Sequence, residues 1–295
     1  MSEKHDPYEA KDTGHEWDSI RELDNPPPRW WMIGLHISWI SVVVYIILFP
    51  AVPLINSATK GILGWTSIKR LHAQVAEIEA VRKPYDEKLK GMDMEEILKN
   101  NELLTFAQGG AKVIFGDHCA PCHGAGGQGG PKFPVLADDD WLYGGTAETI
   151  VETITDGRQG NMPAHASTLS KKELDDVVQY VVGLSSGKVY EAGLAVFMGE
   201  TEAEAACASC HGVDAKGMTM VGAPNLTDSL WRFSGTEEGI RYTVEHGVND
   251  EEDALTRNAV MPAFGEKLSK LQIKKLALLV HQFGGGQAAV VDDEE

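Results

Sequence analysis

The stretch FGDHCAPCHGAGG, residues 115–127, places two of the chain's four cysteines three positions apart, with a histidine directly after the second. The other two stand in AACASCHG, residues 206–213, in the same pattern. On a helical turn, positions i and i+3 project to one side and i+4 lies close by. Cys119 and Cys122 can therefore bond two points on the edge of one flat macrocycle while His123 meets its centre. Cys207, Cys210 and His211 repeat the arrangement. This is the layout for covalent haem c: two thioethers at the ring edge and one imidazole on iron. Gly124 and Gly212 follow at once, where a side chain would crowd the ring. Other uses of paired cysteines fit less well. A thioredoxin-like dithiol opens a helix after a strand, and no strand pattern precedes either site. A four-cysteine zinc site would draw the pairs together, yet each heads its own complete repeat. A disulfide between cysteines three apart closes too small a loop to stabilise much.

The repeat carries more weight than either motif alone. PVLADDDWLYGGTAETIVETITDG (134–157) aligns with PNLTDSLWRFSGTEEGIRYTVEHG (224–247) without a gap, and 10 of 24 positions are identical. Each block follows a Cys-x-x-Cys-His and precedes a Met-Pro-Ala, at Met162 and at Met261. Each copy closes with an apolar helical pattern, LDDVVQYVVGLS and QIKKLALLVHQFG. The second copy has extra residues, VNDEEDALTRNAV, before its methionine. Met162 and Met261 are the expected sixth ligands of the two irons, since no other methionine has a repeat partner. A neutral, soft thioether favours Fe(II) and raises the potential. Iron held on both faces offers no open position, which predicts electron transfer and no catalytic centre. Ligation within each copy, 39 residues from His123 to Met162 and 50 from His211 to Met261, is the simple physical expectation. Exchange of the methionines between copies is the alternative.

The chain has 295 residues with 26 Lys plus Arg against 44 Asp plus Glu, a net charge of −18. Such acidity argues against nucleic acid and favours a basic partner. Residues 189–295 hold 18 of the acids and 8 of the bases, the most negative third. No charged residue lies between Arg29 and Lys60, and Trp30 to Phe49 supplies the ~20 apolar residues a membrane-spanning helix needs. Pro50 and Pro53 terminate or kink it. His36 inside the span reads as a packed or interfacial residue. Basic residues flank the span almost equally, so orientation follows from haem c, which bacteria attach outside the cytoplasmic membrane. The N-terminus is then cytoplasmic and the haem domains periplasmic. The expected organisation is mainly α. It comprises a cytoplasmic segment 1–29, a transmembrane anchor 30–55, and an amphipathic helix with linker 56–100 that Pro84 ends. Two tandem class I cytochrome c domains follow, 101–188 and 189–295, the second with an acidic tail.

The approach to the span, Asp24, Asn25, Pro26, Pro28, Trp30 and Trp31 in DSIRELDNPPPRWW, taken with one anchor and two haem c motifs, resembles the FixP/CcoP family. These are the membrane-bound dihaem subunits of cbb3-type cytochrome c oxidases, and the likeness runs from about residue 16 to the end. Some members have two spans, whereas this chain shows one. The resemblance implies two covalent haems c held by Cys119, Cys122, His123, Cys207, Cys210 and His211, with Met162 and Met261 as the remaining axial ligands. It implies electron transfer from a donor cytochrome c toward a haem–copper catalytic subunit that reduces oxygen and pumps protons. A monohaem cytochrome c subunit and membrane lipid are further implied partners. The alternative is a free-standing tethered dihaem shuttle like cytochrome c4. A dihaem peroxidase would need an iron with a displaceable ligand.

Overall fold

A computed structural model describes residues 12–203 and 205–288. The acidic tail at 292–295 and the first eleven residues of the N-terminal segment lie outside the described residues. The chain divides into two bodies, residues 1–82 and 83–295.

In the first body, β1 (Asp12–Trp17) and β2 (Ile20–Leu23) form an antiparallel hairpin. Asp18 and Ser19 form its two-residue turn with φ of 47° and 70°. Short polar side chains tolerate that region, and such turns match the twist of paired strands. The apolar run forms α1 (Arg29–Leu48), none of it buried, as a helix meant for lipid requires. His36 satisfies its ring locally, Nδ1–H donating to the Met32 carbonyl at 2.6 Å. The chain then folds back, so that Ile62 and Leu63 N–H reach the Ile47 and Leu48 carbonyls at 2.9 and 3.1 Å. This supplies partners that a helix end near hydrocarbon otherwise lacks.

Helix α2 (Ser67–Gly91) carries an apolar stripe of Ile68, Leu71, Val75 and Ile78, all exposed, as an amphipathic helix requires. It does not stop at Pro84. Tertiary packing offsets the lost hydrogen bond: Leu89 is fully buried, Tyr85 stacks on Phe106 at 4.8 Å, and Asp86 pairs with the buried Lys275. The second body thus begins well before residue 101. It continues with α3 (Met94–Leu98), α4 (Asn101–His118), α5 (Ala120–His123), α6 (Ala147–Asp156), β3 (Arg158–Gln159), α7 (Lys171–Leu184), α8 (Glu191–Met198), α9 (Ala208–His211), α10 (Glu237–His246), β4 (Val260–Met261) and α11 (Lys270–His281). Thr146, Ser170, Thr236 and Ser269 cap the N-termini of α6, α7, α10 and α11, the two serines as full capping boxes.

These helices build two cores that do not follow the two halves of the repeat. The first joins α3, α4 and α6 to α11, with Leu103, Ala107, Phe115, Ile150, Leu276 and Leu279 inside. The second joins α7, α8 and α10, with Leu174, Val178, Val196, Phe197 and Ile240 inside. The second core is continuous in the chain, from about 162 to 248. It interrupts the first, which resumes at Met261. The closing helices have changed places relative to the expected domains 101–188 and 189–295. The reason is connection length: only residues 185–190 separate α7 from α8, and so short a loop keeps successive helices as neighbours. Their contact is close enough that a Cβ on Gly193 would overlap the Asp176 carbonyl.

Candidate haem sites

Each Cys-x-x-Cys-His occupies one helical turn after a longer helix. Cys119 N–H closes α4 on the Phe115 carbonyl at 2.8 Å, and His123 N–H bonds the Cys119 carbonyl at 2.9 Å. His211 N–H bonds the Cys207 carbonyl at 3.0 Å in the same way. Gly124 and Gly212 then take φ of 76° and 78°, so backbone conformation, as well as any crowding, requires glycine there.

The first residue of each repeat block orients the histidine. Nδ1 of His123 lies 3.1 Å from the Pro134 carbonyl, and Nδ1 of His211 lies 3.1 Å from that of Pro224. A carbonyl only accepts, so Nδ1 carries the proton and Nε2 keeps its lone pair, the tautomer a metal requires. Burial lowers the pKa of both rings, which holds them neutral. Burial likewise pushes the Cys119 thiol up to about 11 and raises that of Cys207. A raised thiol is a poor nucleophile, which weighs against the redox-dithiol reading. All four cysteines are free of disulfides.

The methionines cross over. Met162 packs on the second core beside Cys207, and Met261 on the first beside Cys119. A cavity of about 490 Å³ is lined by Met162, Cys207, Cys210 and His211 together with apolar Val177, Phe197 and Trp231. That size and lining suit a flat organic cofactor. The crossing is held by backbone pairing. Met162 and Val248 exchange N–H···O bonds of 2.9 Å, and β3 pairs with β4 so that Arg158 faces Met261. Gly157, at φ 71°, packs so tightly on the Met261 carbonyl that a Cβ would overlap it; Gly247, at φ 66°, does the same with Met162. The packing thus sets each methionine against the core that holds the other copy's cysteine motif. Cys119 shares a core with Met261, and His211 a cavity with Met162.

The sequence reading passed over a second repeated pair. Arg158 and Arg257 each stand four residues before their methionine. Each stacks on the equivalent aromatic, Tyr143 at 5.0 Å and Phe233 at 4.8 Å, and donates from Nε to the equivalent threonine, Thr153 and Thr243. The Arg-x-x-x-Met spacing was the available signal.

Fold and sites define a cytochrome c with two Cys-x-x-Cys-His sites, behind one apolar helix among the described residues. Comparison with known proteins agrees. The family described as N-terminal domain of cytochrome oxidase-cbb3, FixP, matches residues 9–56, and that described as cytochrome c oxidase, cbb3-type, subunit III, matches 107–181 and 198–280. Similar proteins include the cbb3-type cytochrome c oxidase subunit FixP of Azorhizobium caulinodans, 43% identical over 93% of each chain. They also include subunit CcoP of an Azospirillum species, 39% identical over 93% of this chain and 95% of its own. The chain belongs to the FixP/CcoP family of cbb3-type cytochrome c oxidase subunits. As a member it is a membrane-anchored, haem c-containing electron-transfer subunit of such an oxidase.

Proposed function

We propose that the chain carries two covalently attached haems c whose axial ligands are exchanged between the repeat copies. Cys119 and Cys122 hold one, with His123 and Met261 as axial ligands. Cys207 and Cys210 hold the other, with His211 and Met162. The observation that carries this reading is the pairing of each Met strand with the chain just beyond the other copy's glycine, Gly157 or Gly247. The haem supplies one-electron chemistry, and the protein's part is to hold each ring in an apolar, closed site. His123 and His211, kept neutral and oriented by proline carbonyls, would offer Nε2 to the iron, and Met162 and Met261 would supply the second ligand. An iron ligated in this way would have no position for oxygen or peroxide, so the chain conducts electrons and the reduction of oxygen belongs to a haem–copper partner.

In this reading the N-terminus is cytoplasmic and both haem cores are periplasmic. A monohaem cytochrome c subunit and the lipid around α1 complete the surroundings. The donor is a basic cytochrome c attracted by the acidic chain. The test uses chains with one haem attached. With Cys119 and Cys122 replaced by alanine, Met162→Ala should lower the remaining midpoint potential and Met261→Ala should leave it unchanged. The reverse outcome would establish ligation within each copy.

A further inference from the structure

Between Gly247 and Met261 stand 13 residues where the first copy has four, so the nine before Arg257 have no counterpart there. In the fold they lie between the two methionine strands. Asn249 is buried, 8% exposed, with φ of 53°. Its amide bonds to both strands at matching places, two residues before each methionine. Nδ2–H donates to the Gly160 carbonyl at 2.6 Å and to the Ala259 carbonyl at 3.1 Å, and Oδ1 accepts the Ala259 N–H at 2.8 Å. Its backbone carbonyl accepts from Asn161 Nδ2 at 2.9 Å, and its N–H donates to the Arg257 carbonyl at 2.7 Å. The next residue acts on one strand only: Asp250 Oδ2 accepts the Ala164 N–H at 2.6 Å, two residues after Met162.

We infer that Asn249 is a positioning residue for both methionines, a single clamp that fixes the reach of Met162 and Met261 together, while Asp250 steadies Met162 alone. The inference rests on the two methionines being axial ligands. A thioether is a weak ligand whose bond follows its backbone, and groups that orient a ligand tune its metal. The insert does this from the centre of the crossing. Removing the Asn249 amide strips partners from polar groups on both strands at once, and buried groups left unpaired drive the strands to shift.

The experiment is spectroelectrochemical titration of the full chain in its oxidase complex, with single-haem variants to assign each wave. Asn249→Ala should lower both midpoints, shifting each reduced-to-oxidised ratio at fixed potential about tenfold or more, ~59 mV for one electron. The methionine–iron charge-transfer absorption should weaken at both sites. Asp250→Ala should move only the haem on Cys207 and Cys210. Asn249→Ala with both haems attached and both midpoints unchanged overturns the inference. So does Asp250→Ala moving both midpoints equally or neither, and that variant decides alone if Asn249→Ala fails to assemble. Met162→Ala and Met261→Ala separate the two failures. If each lowers one midpoint while Asn249→Ala lowers none, the ligand assignment stands and the clamp falls. If neither lowers a midpoint, the ligand assignment itself is wrong.

Discussion

Truncating Leu276 tests which core the last helix serves. Leu276 is fully buried on α11, which packs on α4 and α6. A leucine-to-alanine change at such a site costs ~2–5 kcal/mol, a lost transfer energy plus a cavity that neighbouring helices fill only in part. At ~1.36 kcal/mol per decade, local opening should become roughly thirty-fold or more frequent. Amide hydrogen exchange followed by mass spectrometry reads this directly. In Leu276→Ala the acceleration should be largest in peptides covering α4 and α6, which carry and flank the Cys119 site. Val178→Ala, in the fully buried centre of α7, should instead loosen α8 and α10. Its smaller loss, two methylene equivalents, is worth ~1.6 kcal/mol before the cavity is counted. If Leu276→Ala accelerated α8 and α10 while sparing α4 and α6, the closing helices would not be exchanged.

Three further outcomes follow from the same geometry. Gly157→Ala forces a Cβ into the Met261 carbonyl at a left-handed φ, so it should cost ~1–3 kcal/mol of thermal stability and weaken the methionine–iron absorption of the Cys119 haem; an unaltered melting temperature would contradict the packing. In a haem-free variant with the four cysteines replaced, His123, His165 and His211 retain pKa values lowered by burial from 6.5. The unfolded chain then binds more protons below that value, so stability present above about pH 6.5 is lost as pH falls, and the urea midpoint should drop on acidification. A midpoint that rises would reverse the sign. Electron uptake from a basic cytochrome c should slow as ionic strength rises, because the screening length shrinks from ~10 Å at 0.1 M to ~3 Å at 1 M; a rate indifferent to salt would remove the charge-docking proposal.

The cysteine motifs, the tandem blocks and the apolar span were legible in the sequence because each is a local pattern with one physical meaning. The crossing was not, because the repeat is symmetric. Either Met-Pro-Ala segment and either closing helix can complete either core. The deciding signal was the six-residue connection between α7 and α8, a length rather than a motif. From sequence the segment from Tyr85 to Leu98 reads as linker, since Pro84 is a helix stop. Burial of Leu89, Met94 and Ile97 and the Lys275–Asp86 pair override it, and these contacts are nearly 190 residues apart in part. The hairpin at 12–23 buries nothing, so it leaves no hydrophobic alternation to read. Its only trace is the Asp18-Ser19 turn. Asn249 is one of two asparagines in an acidic insert with no repeat partner, so nothing in the sequence singles it out.

The most direct test of an electron-conducting subunit with two closed irons is a reduced-minus-oxidised spectrum of the complex isolated from native membranes through this chain, repeated under carbon monoxide. Two haems c per chain, b-type bands from the partner, and a carbon monoxide response confined to the b-type haem are predicted. Carbon monoxide binding at either c-type haem would show an open iron and contradict the account. So would isolation of the intact complex without any b-type haem, which would leave a free-standing shuttle.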